Sequence, residues 1–84
     1  MVRYSSITLP NSLERIESFA FANTAGNENM TITIPDNVKY IGDRAFRWWK
    51  TTNTINFTRT ESEVIEQVTF GEKWNNDAKI TYAQ

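Results

Sequence analysis

A repeated segment constrains the fold of this chain more than any other feature of its sequence. ITLPNSLERIESFAF, residues 7–21, aligns without a gap with ITIPDNVKYIGDRAF, residues 32–46. The two segments share six identical residues at an offset of 25, and the identities fall on apolar and turn positions. Further segments that begin with isoleucine start at residues 55 and 80. A period of about 20–50 residues is typical of stacked supersecondary units that share one continuous core.

Each unit is predicted to contain an inner strand, a turn and a helical or extended back side. Ile-Thr-Leu or Ile-Thr-Ile alternates apolar and polar residues, which favours a short strand with its aliphatic side chains inward. Pro10 and Pro35 then end the strand, because proline cannot donate to a ladder of hydrogen bonds. SFAF and DRAF predict a single helical turn with Ser18 or Asp43 as its N-cap. The Phe of each unit, Phe21 or Phe46, is expected in the core.

This order of residues resembles the leucine-rich repeats of the BspA type, also called the Treponema type. Their repeats read roughly Ile-Thr-Ile-Pro, then a spaced Val and Ile-Gly, and then Ala-Phe. The second segment fits this pattern, and the first fits it with Glu17 at the glycine position. The resemblance covers residues 7–57. The third unit lacks both the proline and the Ala-Phe pair, so we interpret its later part as an irregular closing segment.

We therefore predict an α/β-type solenoid, a short right-handed leucine-rich-repeat solenoid with a small parallel sheet. About three repeats lie near residues 7–31, 32–54 and 55–79, and a closing strand lies at residues 80–82. Residues 1–84 form a single domain in this interpretation. A chain of 84 residues is near the lower limit at which one core suffices without disulfides or a metal.

The composition excludes several kinds of site. The chain has no cysteine and no histidine, so we expect no disulfide, no metal site, no cofactor and no Ser-His or Cys-His nucleophile. The acidic segment TESEVIE supplies three carboxylates but reads as a solvated capping turn or helix start, so we expect no enzyme. A net charge of −1 gives no long-range attraction to nucleic acid or to an anionic membrane. No apolar run approaches the ~18 residues of a membrane span, and the N-terminal segment lacks the order of a signal peptide.

The segment RAFRWWK, residues 44–50, is the first candidate binding site. Trp49 aligns with Thr24 and stands where repeats of the resembled family usually have a small buried residue, so we expect it to be inward or half-buried. Trp48 aligns with Asn23 and is expected to be exposed. Its ring either lies across the back of the solenoid under a cation stem or serves as a stacking platform for a ligand. The candidate binding residues here are Arg44, Arg47, Trp48 and Lys50.

The outward face of the predicted sheet is the second candidate. Its residues are short and polar. We call four of them, three threonines and the asparagine in line with them, the hydroxyl row: Thr8, Thr31, Thr33 and Asn56. Neighbouring threonines suit adjacent strands for structural reasons alone. The functional alternative is a flat polar surface that binds a protein or a glycan.

The family resemblance implies a binding module of a surface or secreted protein. We predict a non-catalytic interaction module that binds a protein or a cell-surface component. The alternative is a carbohydrate-binding module centred on Trp48. At the N-terminal end, Val2 and Tyr4 are the only apolar cover, so four core residues are expected to be partly shielded: Ile7, Leu9, Ile16 and Phe21. This predicts either the tip of a longer array or a homodimer that pairs through the first repeats.

Overall fold

The structure is a computed structural model that describes residues 4–24 and 29–84. Seven strands and one helix follow one another along the described chain. In order they are β1 (Tyr4–Thr8), β2 (Arg15–Ile16), β3 (Asn29–Ile34), β4 (Tyr40–Ile41), β5 (Thr54–Thr60), α1 (Glu61–Gln67), β6 (Thr69–Phe70) and β7 (Lys79–Ala83).

The long strands form one parallel sheet and the short strands form another. The four-stranded sheet has the order β1-β3-β5-β7, and the three-stranded sheet has the order β2-β4-β6. Ile7, Ile32, Ile55 and Ile80 are register partners across the first sheet. The predicted register of the repeats is therefore confirmed. The sequence predicted one parallel sheet. In the structure, the back side of each repeat contributes a short strand, and these strands form a second sheet.

The core lies between these two sheets. Along β3, every second residue is buried, and Ile32 and Ile34 are fully covered. Ile55 and Phe57 continue the same columns in β5. Complete burial of such a side chain contributes about 1.5–3 kcal/mol. Because each repeat supplies only a few of these residues, the core forms only when the repeats stack.

The turns that follow the short strands differ from the prediction of a helical turn. The backbone makes successive turns closed by i to i−3 hydrogen bonds, such as Ala20 N–H to the Glu17 carbonyl at 3.1 Å. Phe19 interrupts any helix there, because its φ of 60° lies in the left-handed region. The predicted N-cap role of Asp43 is also wrong. Its carboxylate accepts from the backbone N–H of Glu72 in the next repeat, at 2.8 Å.

The third repeat is more regular than the sequence suggested. Phe70 in β6 pairs with Ile41 in β4, so the third repeat has its own back strand. The helix α1 is inserted before it, and Thr60 and Glu63 close a capping box at the helix start. This insertion makes the spacing from β4 to β6 longer than that from β2 to β4. An alignment of the sequence with itself at a constant offset therefore does not detect the third back strand. Within the described residues, no helix is long and apolar enough to cross a membrane.

The first repeat is less completely covered than the second. Ile7, Leu9 and Phe21 are half-buried, as expected for an end of the stack. Ile16, however, is only 3% exposed, so the prediction that it would be partly shielded is wrong. Phe21 stacks on Phe46 with ring centroids 5.5 Å apart, but only Phe46 is fully buried.

Candidate functional site

A cleft on the turn side of the solenoid brings together three of the four candidate binding residues of the RAFRWWK segment. We call it the turn cleft; it has a volume of about 310 Å³. Arg47, Trp48, Lys73 and Asn76 are exposed, and Arg44 is half-buried. The lining comes from the turns of the second and third repeats: Arg44, Arg47, Trp48, Lys73 and Asn76.

Stacking of equivalent turns places these residues side by side. The pairing of Ile41 with Phe70 makes Lys73 the equivalent of Arg44. The backbone N–H of Arg44 donates to the carbonyl of Glu72 at 3.1 Å, which holds the two turns in contact. Arg44 and Lys73 have φ of 53° and 52°, so the same backbone conformation directs both side chains outward.

Glycine permits this close stacking. A Cβ atom on Gly42 would lie 2.5 Å from the backbone nitrogen of Ser18 in the preceding turn. A Cβ atom on Gly71 would collide in the same way with the backbone of Asp43. The glycine of the second and of the third repeat is thus required because the neighbouring backbone approaches too closely for any side chain. Glu17 occupies the equivalent position in the first repeat, next to β2 at the edge of its sheet.

The two adjacent tryptophans have opposite surroundings, as predicted. Trp49 is fully buried, its ring meets Phe46 edge-on at 5.0 Å, and its indole N–H donates to the Phe21 carbonyl at 2.8 Å. Trp48 is 53% exposed and has a φ of 70°. The guanidinium of Arg47 lies over the Trp48 ring, 4.6 Å from its centroid, as in a cation–π contact.

The turn cleft is positively charged, and its lining contains no carboxylate that would neutralise its three cations. Among the described residues, the ion pairs are Arg15 with Glu17 and Arg59 with Asp36, and neither involves a cation of this cleft. Lys50, the fourth candidate binding residue of the RAFRWWK segment, does not line the cleft. Its backbone N–H donates to the buried side chain of Asn53 at 2.7 Å.

The hydroxyl row lies on the outward face of the four-stranded sheet, where the alternation predicted it. Thr8 is the register partner of Thr33, and Thr33 is the partner of Asn56. Thr31 and Thr33 are half-buried, and Thr8 is exposed. The Thr81 hydroxyl donates to the Asn56 side-chain oxygen at 2.7 Å. Part of this row is therefore already occupied with bonds between strands.

A second cleft, the sheet cleft, begins where the strands of this face end. It has a volume of about 400 Å³ and contains two members of the hydroxyl row, Thr8 and Thr33. Asp36 contributes a carboxylate that accepts a hydrogen bond from the Thr58 hydroxyl. Below it, the buried Arg59 donates to the carbonyl of Val38 at 2.9 Å. The other lining residues are Leu9, Asn11, Pro35 and Asn37.

Sequence reasoning missed two residues of the turn cleft, Lys73 and Asn76. The signal was present, because FGEK at residues 70–73 repeats the apolar-glycine-acidic-basic order of IGDR at residues 41–44. FGEK lies 29 residues after IGDR, whereas the segments of the first and second repeats are 25 residues apart. The sheet cleft was missed because most of its lining residues follow β1 and β3 and belong to no repeated motif of charged or aromatic residues.

No other kind of site was found in the described parts of the chain. No group of three or more acidic residues there could hold a metal ion. The half-buried Ile7 and Leu9 mark the end of the stack where a homodimer was predicted. Pairing through that end stays a prediction.

Comparison with known proteins places this architecture in a family. The family model described as BspA type leucine rich repeat region, with six copies, matches residues 2–82. No curated protein and no solved structure gives a significant match.

Proposed function

Because the chain belongs to the BspA-type leucine-rich repeat family, we propose that it is a non-catalytic module that binds a protein or another cell-surface component. The family fold is a repeat-type interaction fold. Stacked repeats present extended surfaces on which side chains from successive units converge. The turn cleft is such a surface, since it is built from two successive turns.

Trp48 is the observation that supports this proposal best. Trp48 is more than half exposed. The equivalent position of the first repeat holds a smaller polar residue, Asn23. A bulky residue in the left-handed region costs about 1–2 kcal/mol relative to the usual backbone conformation. Packing does not require this residue, because the ring lies outside the core cluster. Tryptophan and arginine side by side are the residue types enriched at the energetic centres of interfaces.

A binding assay on intact cell surfaces tests this function. The fluorescently labelled chain is applied to a panel of immobilised cell-surface preparations, and binding is compared with that of Trp48→Asn. Treatment of the surface with protease removes a protein partner, whereas periodate oxidation removes a glycan partner. We expect saturable binding that Trp48→Asn abolishes. A Thr33→Lys variant is the control for the sheet face. Loss with Thr33→Lys and retention with Trp48→Asn would assign binding to the sheet instead.

Carbohydrate binding is the second candidate function, and the shape of the turn cleft favours it. The volumes of small-molecule sites usually start near 300 Å³. The turn cleft has this size, one exposed indole and four polar side chains. In the cell-surface assay, sensitivity to periodate together with resistance to protease would distinguish this candidate from protein binding.

A further inference from the structure

We propose that the turn cleft selects acidic saccharides, with the sugar ring on Trp48 and its carboxylate or sulfate group among Arg44, Arg47 and Lys73. This inference rests on the proposed carbohydrate-binding function and adds the charge of the ligand.

The first argument is the uncompensated charge. Three cations line one cleft of about 310 Å³, and its lining contains no carboxylate. In the described chain, none of the three belongs to an ion pair. Like charges held together repel one another, and this arrangement occurs in a protein whose net charge is −1. An anion bound between them would remove the repulsion.

Two carboxylates on the same turns, Asp43 and Asp77, have other contacts. Asp43 accepts from the backbone N–H of Glu72 at 2.8 Å, so it faces the neighbouring turn. Asp77 accepts from the side chain of Asn76 at 3.1 Å. Asp43 and Asp77 thus stabilise the backbone and the cleft rim, and in the described chain neither forms an ion pair with a cation of the cleft.

The second argument comes from the first repeat, which serves as an internal comparison. Its turn has the same backbone, with a φ of 60° at Phe19 and of 59° at Asn23. The residues equivalent to Arg44, Arg47 and Trp48 are Phe19, Ala22 and Asn23. The fold therefore needs neither the cations nor the tryptophan at these positions.

The third argument is the combination of an indole and guanidinium groups. Arg47 already lies over the Trp48 ring, so the apolar and the charged parts of the cleft are adjacent. Guanidinium groups bind carboxylates and sulfate-like anions through paired, charge-assisted hydrogen bonds. An aromatic ring offers a flat apolar surface to the C–H face of a sugar. A saccharide that carries an acidic group matches both parts at once.

Isothermal titration calorimetry with matched ligands tests the inference. The ligands are trigalacturonate, its neutral methyl ester and a sulfated trisaccharide, each at two salt concentrations. We expect trigalacturonate or the sulfated sugar to bind at least about tenfold more tightly than the ester, since charge-assisted bonds are lost in the ester. Higher salt should weaken binding of the acidic ligand and leave that of the ester unchanged. The better acidic ligand identifies which anion the cleft prefers.

Two variants with matched charge locate the effect. The double variant Arg44→Gln/Lys73→Gln should reduce the affinity for the acidic ligand by at least about tenfold and leave the melting temperature nearly unchanged. Lys39→Gln/Lys79→Gln removes two exposed cations outside the cleft and should have no effect. Equal losses in both variants would mean non-specific charge attraction and would overturn the inference.

The outcomes separate this inference from the proposed function. Equal binding of the acid and its ester, lost in Trp48→Asn, would retain carbohydrate binding and refute the selectivity for anions. If no saccharide binds while Trp48→Asn still abolishes attachment to cell surfaces, the inference is wrong and the partner is a protein. If Trp48→Asn leaves attachment intact, the proposed use of the turn cleft is wrong.

Discussion

Exchanging each of the two tryptophans for its equivalent in the first repeat should have very different effects on stability. The changes are Trp48→Asn and Trp49→Thr, which install the residue types of Asn23 and Thr24. About half of the Trp48 surface is covered, which is ~100 Å² of the ~200 Å² that a tryptophan can bury. At ~25 cal/mol per Å², its removal costs at most about 2.5 kcal/mol. Asparagine adopts the left-handed conformation more readily, which returns about 1–2 kcal/mol. The net loss should be about 1 kcal/mol.

Trp49→Thr should instead cost about 3–5 kcal/mol, the range for removal of a fully buried large aromatic residue. The hydrogen bond from its indole to the Phe21 carbonyl is lost as well. A domain of 84 residues has a total stability of about 4–13 kcal/mol, so this variant should be largely or wholly destabilised. Urea denaturation followed by circular dichroism measures both differences. A loss above ~3 kcal/mol for Trp48→Asn would refute the interpretation of Trp48 as a surface residue in a strained conformation.

Three further predictions concern the core, the turns and the helix. Phe46→Ala should lower the free energy of unfolding by about 3–5 kcal/mol, and Phe21→Ala by clearly less because its ring is only half-buried; urea melts of the two variants compare them. Gly42→Ala should cost about 1–3 kcal/mol, because the new methyl group meets the backbone of the preceding turn. At the start of α1, Thr60→Ala should cost about 0.5–2 kcal/mol at neutral pH. Hydrogen bonds from the backbone N–H and the hydroxyl of Thr60 lower the pKa of Glu63. The stability that the ionised Glu63 side chain contributes is therefore present above the ordinary glutamate pKa, and it is lost as the pH falls through the lowered pKa.

Matched changes serve as controls for these predictions. Glu17→Gly is the matched change at the edge of the sheet, where no preceding turn crowds the Cβ, so removal of the side chain should give no gain in stability. A clear gain in stability there would contradict the steric explanation for Gly42. For the helix, the stability difference between the parent and Glu63→Ala should shrink as the solution is acidified. A difference that grows in acid would contradict the sign of the pKa shift.

The strands were the most predictable part of this fold. Ile7 and Ile32 lie in segments that match at a constant offset, and their alternation with threonine indicates which side faces the core. Trp48 was distinguished from Trp49 because its equivalent in the first repeat, Asn23, is polar, whereas BspA-type repeats usually have a small buried residue at the position of Trp49. Periodicity was sufficient here since every repeat must bury the same positions against its neighbours.

The turns could not be predicted from local sequence. Arg44, Trp48 and Lys73 adopt a left-handed conformation that glycine or asparagine would normally signal. These residues are held there by contacts between repeats, such as the hydrogen bond from Phe46 N–H to the Trp74 carbonyl at 2.8 Å. The insertion of α1 also shifted the third turn out of the expected spacing. The part of the turn cleft that Lys73 supplies was missed for this reason.

The tryptophan indole signals in an NMR titration test most directly whether the turn cleft is the binding site. The chain has three tryptophans, so uniform ¹⁵N labelling gives three indole N–H signals to follow beside those of the backbone. Trigalacturonate is added to the labelled protein, and Trp48→Asn assigns the signal of interest. We predict that the Trp48 signal shifts in a saturable manner, while the buried, hydrogen-bonded Trp49 signal stays in place and exchanges slowly with solvent. A stationary Trp48 signal, with shifts confined to the backbone of the hydroxyl row, would contradict the assignment of the site.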